Sequence, residues 1–159
     1  RDFGLLEGGS DHYLEIGWNL KFTDLQAVIG ISQMRRLTPI VERKRAIFAR
    51  YREQLTGVSG IGFPETDLSS VTPWFVDVLL RDVTAKRALM SHLKSHGIGS
   101  RPFYPPLHAE PAFSVAGRFP HAEAASLSGL WLPSSLRLTD ADIDRVCDRI
   151  RAFSTARSA

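Results

Sequence analysis

One cysteine, Cys147, is present among 159 residues, so the chain cannot close an internal disulfide and its fold is held without a covalent cross-link. Apolar runs are short: none approaches the roughly 18 residues that a membrane-crossing helix needs, which excludes a helical span. No G-x-S-x-G elbow, G-x-x-x-x-G-K-[ST] loop or G-x-G-x-x-G loop occurs, so the usual sequence marks of a hydrolase nucleophile, a P-loop and a dinucleotide site are missing. Excess charge of one sign is also small. Lys and Arg number 20 against 17 Asp and Glu, a formal net of +3 scattered along the chain, which argues little for nucleic acid. Nor is there a basic stretch followed by an apolar one at the start, as a secretory leader would show. The chain begins at Arg1 and reads as a piece of something longer, from a cytoplasmic protein.

What is present is ordinary for a globular domain: 43% apolar and 23% charged residues, enough for one proper core. The most informative stretch is Gly17 to Arg36. Trp18, Leu20 and Phe22 alternate with Asn19 and Lys21, which places the two polar side chains together on one face of an extended segment. Thr23-Asp24-Leu25-Gln26 then has the spacing of a capping box, and a helix is expected from there. Its apolar positions Leu25, Val28, Ile29, Ile31 and Met34 cover more than a narrow stripe, which points to burial in a core or a subunit interface. Thr38-Pro39 offers a second helix start. Ile40, Ile47, Phe48, Tyr51 and Leu55 follow at helical spacing up to Gly57, and the pattern leaves open whether Pro39 separates two helices or kinks one.

Residues 57–73 read as loop, and Trp74 to Leu80 as a strand rich in aromatic and β-branched residues. A helix is expected from about Thr84, with Ala85, Leu89 and Leu93 on one face and Gly97 as its stop. Ile98 to Arg101 reads as another strand, a short helix starts at Pro120 and stops near Gly129, and Leu130 to Pro133 is a short strand. Thr139-Asp140-Ala141-Asp142 opens a last helix with Ile143, Val146, Cys147, Ile150 and Phe153 inward, so Cys147 reads as a buried thiol. The class is α/β in the α+β sense, a few strands covered by helices.

Three groups invite chemistry. Leu25 to Leu37 has the A-x-x-x-G-x-S look of a helix-turn-helix, with Gly30 at the turn and Gln33, Arg35 and Arg36 on a recognition helix; Pro39 would cut that helix short, and one continuous buried helix explains the same residues. His92 and His96 have a helical spacing compatible with two metal ligands, but no carboxylate or cysteine completes a set, and His96 before Gly97 is accounted for by the helix dipole. Arg101, Tyr104 and His108 lie on the proline-stiffened segment RPFYPPLH. A guanidinium, a phenol and an imidazole suit an anionic or hydroxyl-rich ligand, and ordinary loop polarity accounts for them equally well.

Four blocks in order, GWNLKFTDLQAVIGISQM, KRAIFARYREQL, GIGSRPFYPPLH and LPSSLRLTDADI, resemble the C-terminal part of the DegT/DnrJ/EryC1/StrS sugar aminotransferases over nearly the whole chain. The resemblance implies a fold-type I, pyridoxal-phosphate-dependent homodimer that moves an amino group from glutamate to a keto sugar of a nucleotide sugar, as in polysaccharide biosynthesis, with no nucleic-acid or membrane partner. On that likeness, residues 1–22 are the tail of the large cofactor-binding domain, 23–56 a long helical connection and 57–159 the small C-terminal domain, a small sheet packed by helices. Asn19 matches the residue that bonds the cofactor phosphate of the neighbouring subunit. Lys21 matches a position near the substrate, and Arg101, Tyr104 and His108 match a segment bordering the substrate pocket. Trp74 and Phe75 followed by RPFYPPLH are similar to perosamine-synthase-like members. The family's Schiff-base lysine has no counterpart, since Lys21, Lys44, Lys86 and Lys94 stand in other contexts; the chain by itself is therefore expected not to transaminate, and no catalytic residue is assigned. The competing readings are a helix-turn-helix DNA-binding module over 25–37 and a domain that serves interaction only.

Overall fold

A computed structural model describes residues 22–110 and 116–158. The chain divides into two compact units, 1–38 and 39–159. In the first, helix α1 (Asp24–Met34) starts where the capping box places it. The Thr23 amide donates to Gln26 Oε1 at 2.9 Å and the Gln26 amide donates to Thr23 Oγ1 at 3.4 Å. The helix runs unbroken through Gly30, so a helix-turn-helix with its turn at that glycine does not exist. A turn at Arg35 and Arg36 ends it. Contrary to burial in a core, Leu25, Val28, Ile29, Ile31 and Met34 are all exposed among the described residues.

Helix α2 (Leu37–Leu55) lies in the second unit apart from Leu37 and Thr38. Pro39 falls in its first turn, where a missing amide costs nothing; of the two alternatives the structure has two helices, parted by the turn at Arg35 and Arg36, and Thr38 is inside the second helix rather than its cap. Strands β1 (Ile61–Gly62), β2 (Val76–Leu80), β3 (Arg101–Pro102) and β4 (Gly129–Leu132) form one sheet in the order β1-β2-β4-β3, antiparallel throughout. Helices α3 (Val83–Ser95), α4 (Pro120–Ser128) and α5 (Asp140–Ser158) complete the unit, with a short 3-10 turn at Leu107–Ala109. This is the α+β arrangement of a small sheet packed by helices.

The core draws on α2, β2, α3, β4 and α5. Ile47, Phe48, Tyr51 and Leu55 come from one face of α2, Val76, Val78 and Leu80 from alternate positions of β2, and Leu130 and Leu132 from β4. Leu89 and Leu93 of α3 and Ile143, Val146, Cys147 and Ile150 of α5 close it. Burying each such aliphatic or aromatic side chain contributes about 1.5–3 kcal/mol, so this cluster dominates the stability of the unit. The helices α2 and α5 are also tied by charge: Arg50 donates to both carboxylate oxygens of Asp144 at 2.7 Å, Gln54 donates to the same carboxylate, and Arg43 reaches Asp140 at 2.9 Å.

Several boundaries differ from the sequence pattern for local reasons. α3 begins at Val83 because the Asp82 carboxylate accepts from the Ala85 amide at 2.7 Å. Its end is a Schellman closure. Gly97 at φ 72° lets its amide reach Lys94 O at 3.0 Å and the Ile98 amide reach Leu93 O at 2.9 Å, which folds Ile98 into the core and delays the strand to Arg101. Trp74 and Phe75 precede the ladder, which starts at Val76. β1 lies inside what reads as loop, being only two residues long.

Candidate functional site

The ladder register builds the site. Trp131 is the cross-strand partner of Asp77 on β2 and of Arg101 on β3, whereas its neighbour Leu130 pairs with the buried Val78. Because side chains alternate, Asp77, Trp131 and Arg101 form one row on the sheet face opposite the core. β3 is an edge strand, which is why Pro102 is tolerated in it.

Aromatic rings gather on this row. Phe75 stacks on Trp131 with centroids 4.5 Å apart, Trp74 stacks on Phe75 at 4.6 Å, Phe103 lies 5.1 Å from Trp131, and Tyr104 meets it edge-on at 4.9 Å. The Arg101 guanidinium sits 4.7 Å from the centroid of Tyr104 and 5.9 Å from that of Trp131. Such cation–ring contacts are worth about 0.5–1 kcal/mol at exposed positions. Arg101 is exposed and makes no ion pair with a carboxylate among the described residues, so its planar fork of N–H donors is open to an anion.

A cleft of about 460 Å³ opens beside this row, with Arg101, Trp131, Trp74, Ser100 and Ser134 in its walls. Lys44 of α2 also reaches it, but its ammonium donates to Trp74 O at 2.8 Å and Ser134 O at 2.7 Å, pinning both walls, and burial lowers its pKa. Half-buried Asp77 is raised above the ordinary carboxyl range by desolvation, against a smaller opposing effect of the neighbouring Trp131.

Of the residues singled out from sequence, Arg101 and Tyr104 are brought into contact. His108 has different partners: its Nε2 is 3.2 Å from Glu123 Oε1 and its ring lies 4.6 Å from that of Phe119, at the start of α4. Asn19 and Lys21 lie outside the described residues. Trp131 and Asp77 went unnoticed as site residues. The signal for them is that a charged and a bulky polar-tipped side chain interrupt the apolar strands VDVLL and GLWL, each at an outward position.

The remaining candidates have structural explanations. His92 Nε2 is 3.1 Å from Arg149 O and His96 Nδ1 is 2.8 Å from His92 O, so the pair helps join α3 to α5. Among the described residues no cluster of three or more His, Cys, Asp or Glu is placed to hold a metal. Cys147 is buried, and desolvation pushes its thiol up to about 12. No described helix is long and apolar enough to cross a membrane.

Comparison with known proteins bears directly on this arrangement. The sequence model of the DegT/DnrJ/EryC1/StrS aminotransferase family matches residues 1–151. The chain is 30% identical over 141 residues to a putative pyridoxal phosphate-dependent aminotransferase, EpsN, of Bacillus subtilis, covering 84% of this chain and 36% of that protein. It is 29% identical over 139 residues to a GDP-perosamine synthase of Escherichia coli O157:H7, covering 87% of this chain and 38% of that one. The crystal structure of the aminotransferase TlmJ from Streptoalloteichus hindustanus superposes with a TM-score of 0.82 at 29% identity, over 99% of this chain and 43% of that one. The chain thus spans well under half the length of each of these relatives.

Proposed function

The chain belongs to the DegT/DnrJ/EryC1/StrS aminotransferase family, and from that premise we propose that it supplies the C-terminal, substrate-facing part of a pyridoxal-phosphate-dependent nucleotide-sugar aminotransferase. The reaction is amino transfer from glutamate to a keto sugar. The observation that carries the reading is the Arg101 guanidinium laid over Tyr104 and Trp131 with its donors unpaired by any described carboxylate, at the mouth of a cleft. A nucleotide-linked sugar presents a diphosphate and ring hydroxyls. Arg101 offers the diphosphate a bidentate, charge-assisted contact, and the Tyr104 hydroxyl and Ser100 offer hydrogen bonds to the sugar.

The described residues do not by themselves make a seat for the cofactor. Lys44 is held by two carbonyls and the buried Lys86 donates to Ser126 O at 2.7 Å, so neither stands as a free amine in a cleft. This chain's share of the work is to bind and orient the sugar and to exclude water from it. In this reading residues 1–22 continue the large domain, 23–56 connect and 57–159 form the small domain; Asn19 reaches the cofactor phosphate in the partner subunit of a homodimer and Lys21 lies near the substrate. The exposed apolar side chains of α1 support a homodimer, because Leu25, Val28, Ile29 and Met34 need a cover. His108 borders the pocket from the α4 side. The relative named GDP-perosamine synthase supports a similar nucleotide sugar, and a cytoplasmic location fits substrates made there.

The test is product analysis by mass spectrometry. The enzyme carrying this chain, supplied with pyridoxal phosphate, glutamate and a panel of nucleotide-linked 4-keto sugars, is expected to yield an amino sugar, and residues 1–159 alone are expected to yield none. Amination by the short chain, or no amination by the enzyme across the panel, would count against the reading.

A further inference from the structure

The row Asp77–Trp131–Arg101 crosses three strands with Trp131 at its centre, directly opposite both charged residues. An exposed arginine on a two-residue edge strand has little to fix its side chain, since its rotamer entropy is large and β3 offers no further pairing. What limits Arg101 is the pair of rings it rests on. Of these, Tyr104 belongs to the loop after β3 and is itself set edge-on against Trp131. Trp131 is the anchored member: it is in the ladder opposite Asp77, stacked by Phe75 at 4.5 Å and flanked by Phe103 at 5.1 Å.

We propose that Trp131 is a positioning residue for the substrate anion, holding the Arg101 guanidinium in its binding geometry directly and through Tyr104. The inference rests on the reading of this cleft as the sugar-nucleotide site. A guanidinium already held against two rings loses less freedom when its N–H edge captures a diphosphate, so affinity for the anion depends on Trp131 through Arg101.

The experiment titrates inorganic pyrophosphate, as a probe of the diphosphate, into the 159-residue chain by calorimetry. Arg101→Ala is expected to abolish or strongly weaken binding. Trp131→Leu, which keeps apolar volume but has no π face, is expected to weaken it about twofold to fivefold, the range that cation–π energies at exposed positions convert to. Trp131→Phe should recover most of that loss, and in the Arg101→Ala background Trp131→Leu should cost nothing more. In the native sequence the indole N–H resonance of Trp131 should shift on titration, and in Arg101→Ala it should not. Should Trp131→Leu not fold, Trp131→Met, which also keeps apolar volume without a π face, takes its place in the same titration with the same expected loss.

Full affinity in Trp131→Leu, with affinity lost in Arg101→Ala, would overturn the positioning role and leave the site reading intact. Equal losses from Trp131→Leu with and without Arg101 would do the same. No binding by the native sequence, or undiminished binding by Arg101→Ala, would overturn both.

Discussion

A Cβ on Gly129 would stand 2.2 Å from Cδ2 of Phe103 and 2.5 Å from the carbonyl oxygen of Ala125. The first residue of β4 is therefore bare because the Phe103 ring lies across it, while the Phe103 amide donates to Gly129 O at 3.2 Å. The same ring flanks Trp131, so a side chain at 129 acts on the site through the sheet.

Gly129→Ala is expected to push Phe103 off the strand and to destabilise the unit by about 1–3 kcal/mol, as overpacking of a close contact does. Urea unfolding followed by tryptophan fluorescence measures the loss of stability, and a changed native emission of Trp131 reports the displaced Phe103 ring. An unchanged midpoint would mean that Phe103 has room to move.

Tyr51 is fully buried and its hydroxyl has no hydrogen-bond partner among the described residues; burial raises its pKa. Removing a desolvated, unpaired hydroxyl relieves a cost of about 1–3 kcal/mol, so Tyr51→Phe should be more stable than the native protein. Phe48→Ala, which empties core volume instead, should lose about 3–5 kcal/mol. Destabilisation by Tyr51→Phe in the same urea series would show that the hydroxyl is satisfied.

Acid should weaken the protein through particular carboxylates. Hydrogen bonds from Arg50 and then Gln54 hold Asp144 below the ordinary carboxyl range, the Thr139 hydroxyl and amide do so for Asp142, and Ser69 and Ser70 bring Asp67 to about 2. Folded values below the unfolded value of about 3.9 mean that the unfolded chain takes up protons first; the stability present above that pH is lost as pH falls through the folded values. Asp144→Asn should be less stable near pH 7 and show a shallower decline between about pH 4 and 2 in thermal melts. A decline as steep as the native one would assign the acid sensitivity elsewhere.

Burial raises the Cys147 thiol to about 12, so at about pH 8.5, where a free thiol is half ionised, the native protein should resist iodoacetamide and the urea-unfolded chain should react fully. The sign for stability follows: stability is undiminished below the unfolded value and falls as pH rises towards the folded one, because only the unfolded chain deprotonates in between. Rapid labelling of the native protein would contradict the burial.

Short-range chemistry was largely legible in the sequence. The Thr23 box, the α4 limits and the inward face of α5 follow from capping chemistry, from proline and glycine at the helix ends, and from helical periodicity, all within one or two turns. The parts that were not legible depend on partners far along the chain. The role of Trp131 exists only because the register sets it between Asp77 and Arg101. Proximity in sequence also joined His108 to Arg101 and Tyr104, while Glu123 holds it at α4. The family likeness was carried by ordered blocks of residues, which survive without knowledge of the fold.

The most direct measurement of the account is steady-state amination by the enzyme that carries this chain, native against Arg101→Ala, with the nucleotide-linked keto sugar varied at saturating glutamate. Losing charge-assisted hydrogen bonds to the diphosphate should raise the KM for the sugar about tenfold to a hundredfold, with a smaller change in kcat. An unchanged KM and kcat would contradict the assignment of this cleft to the substrate.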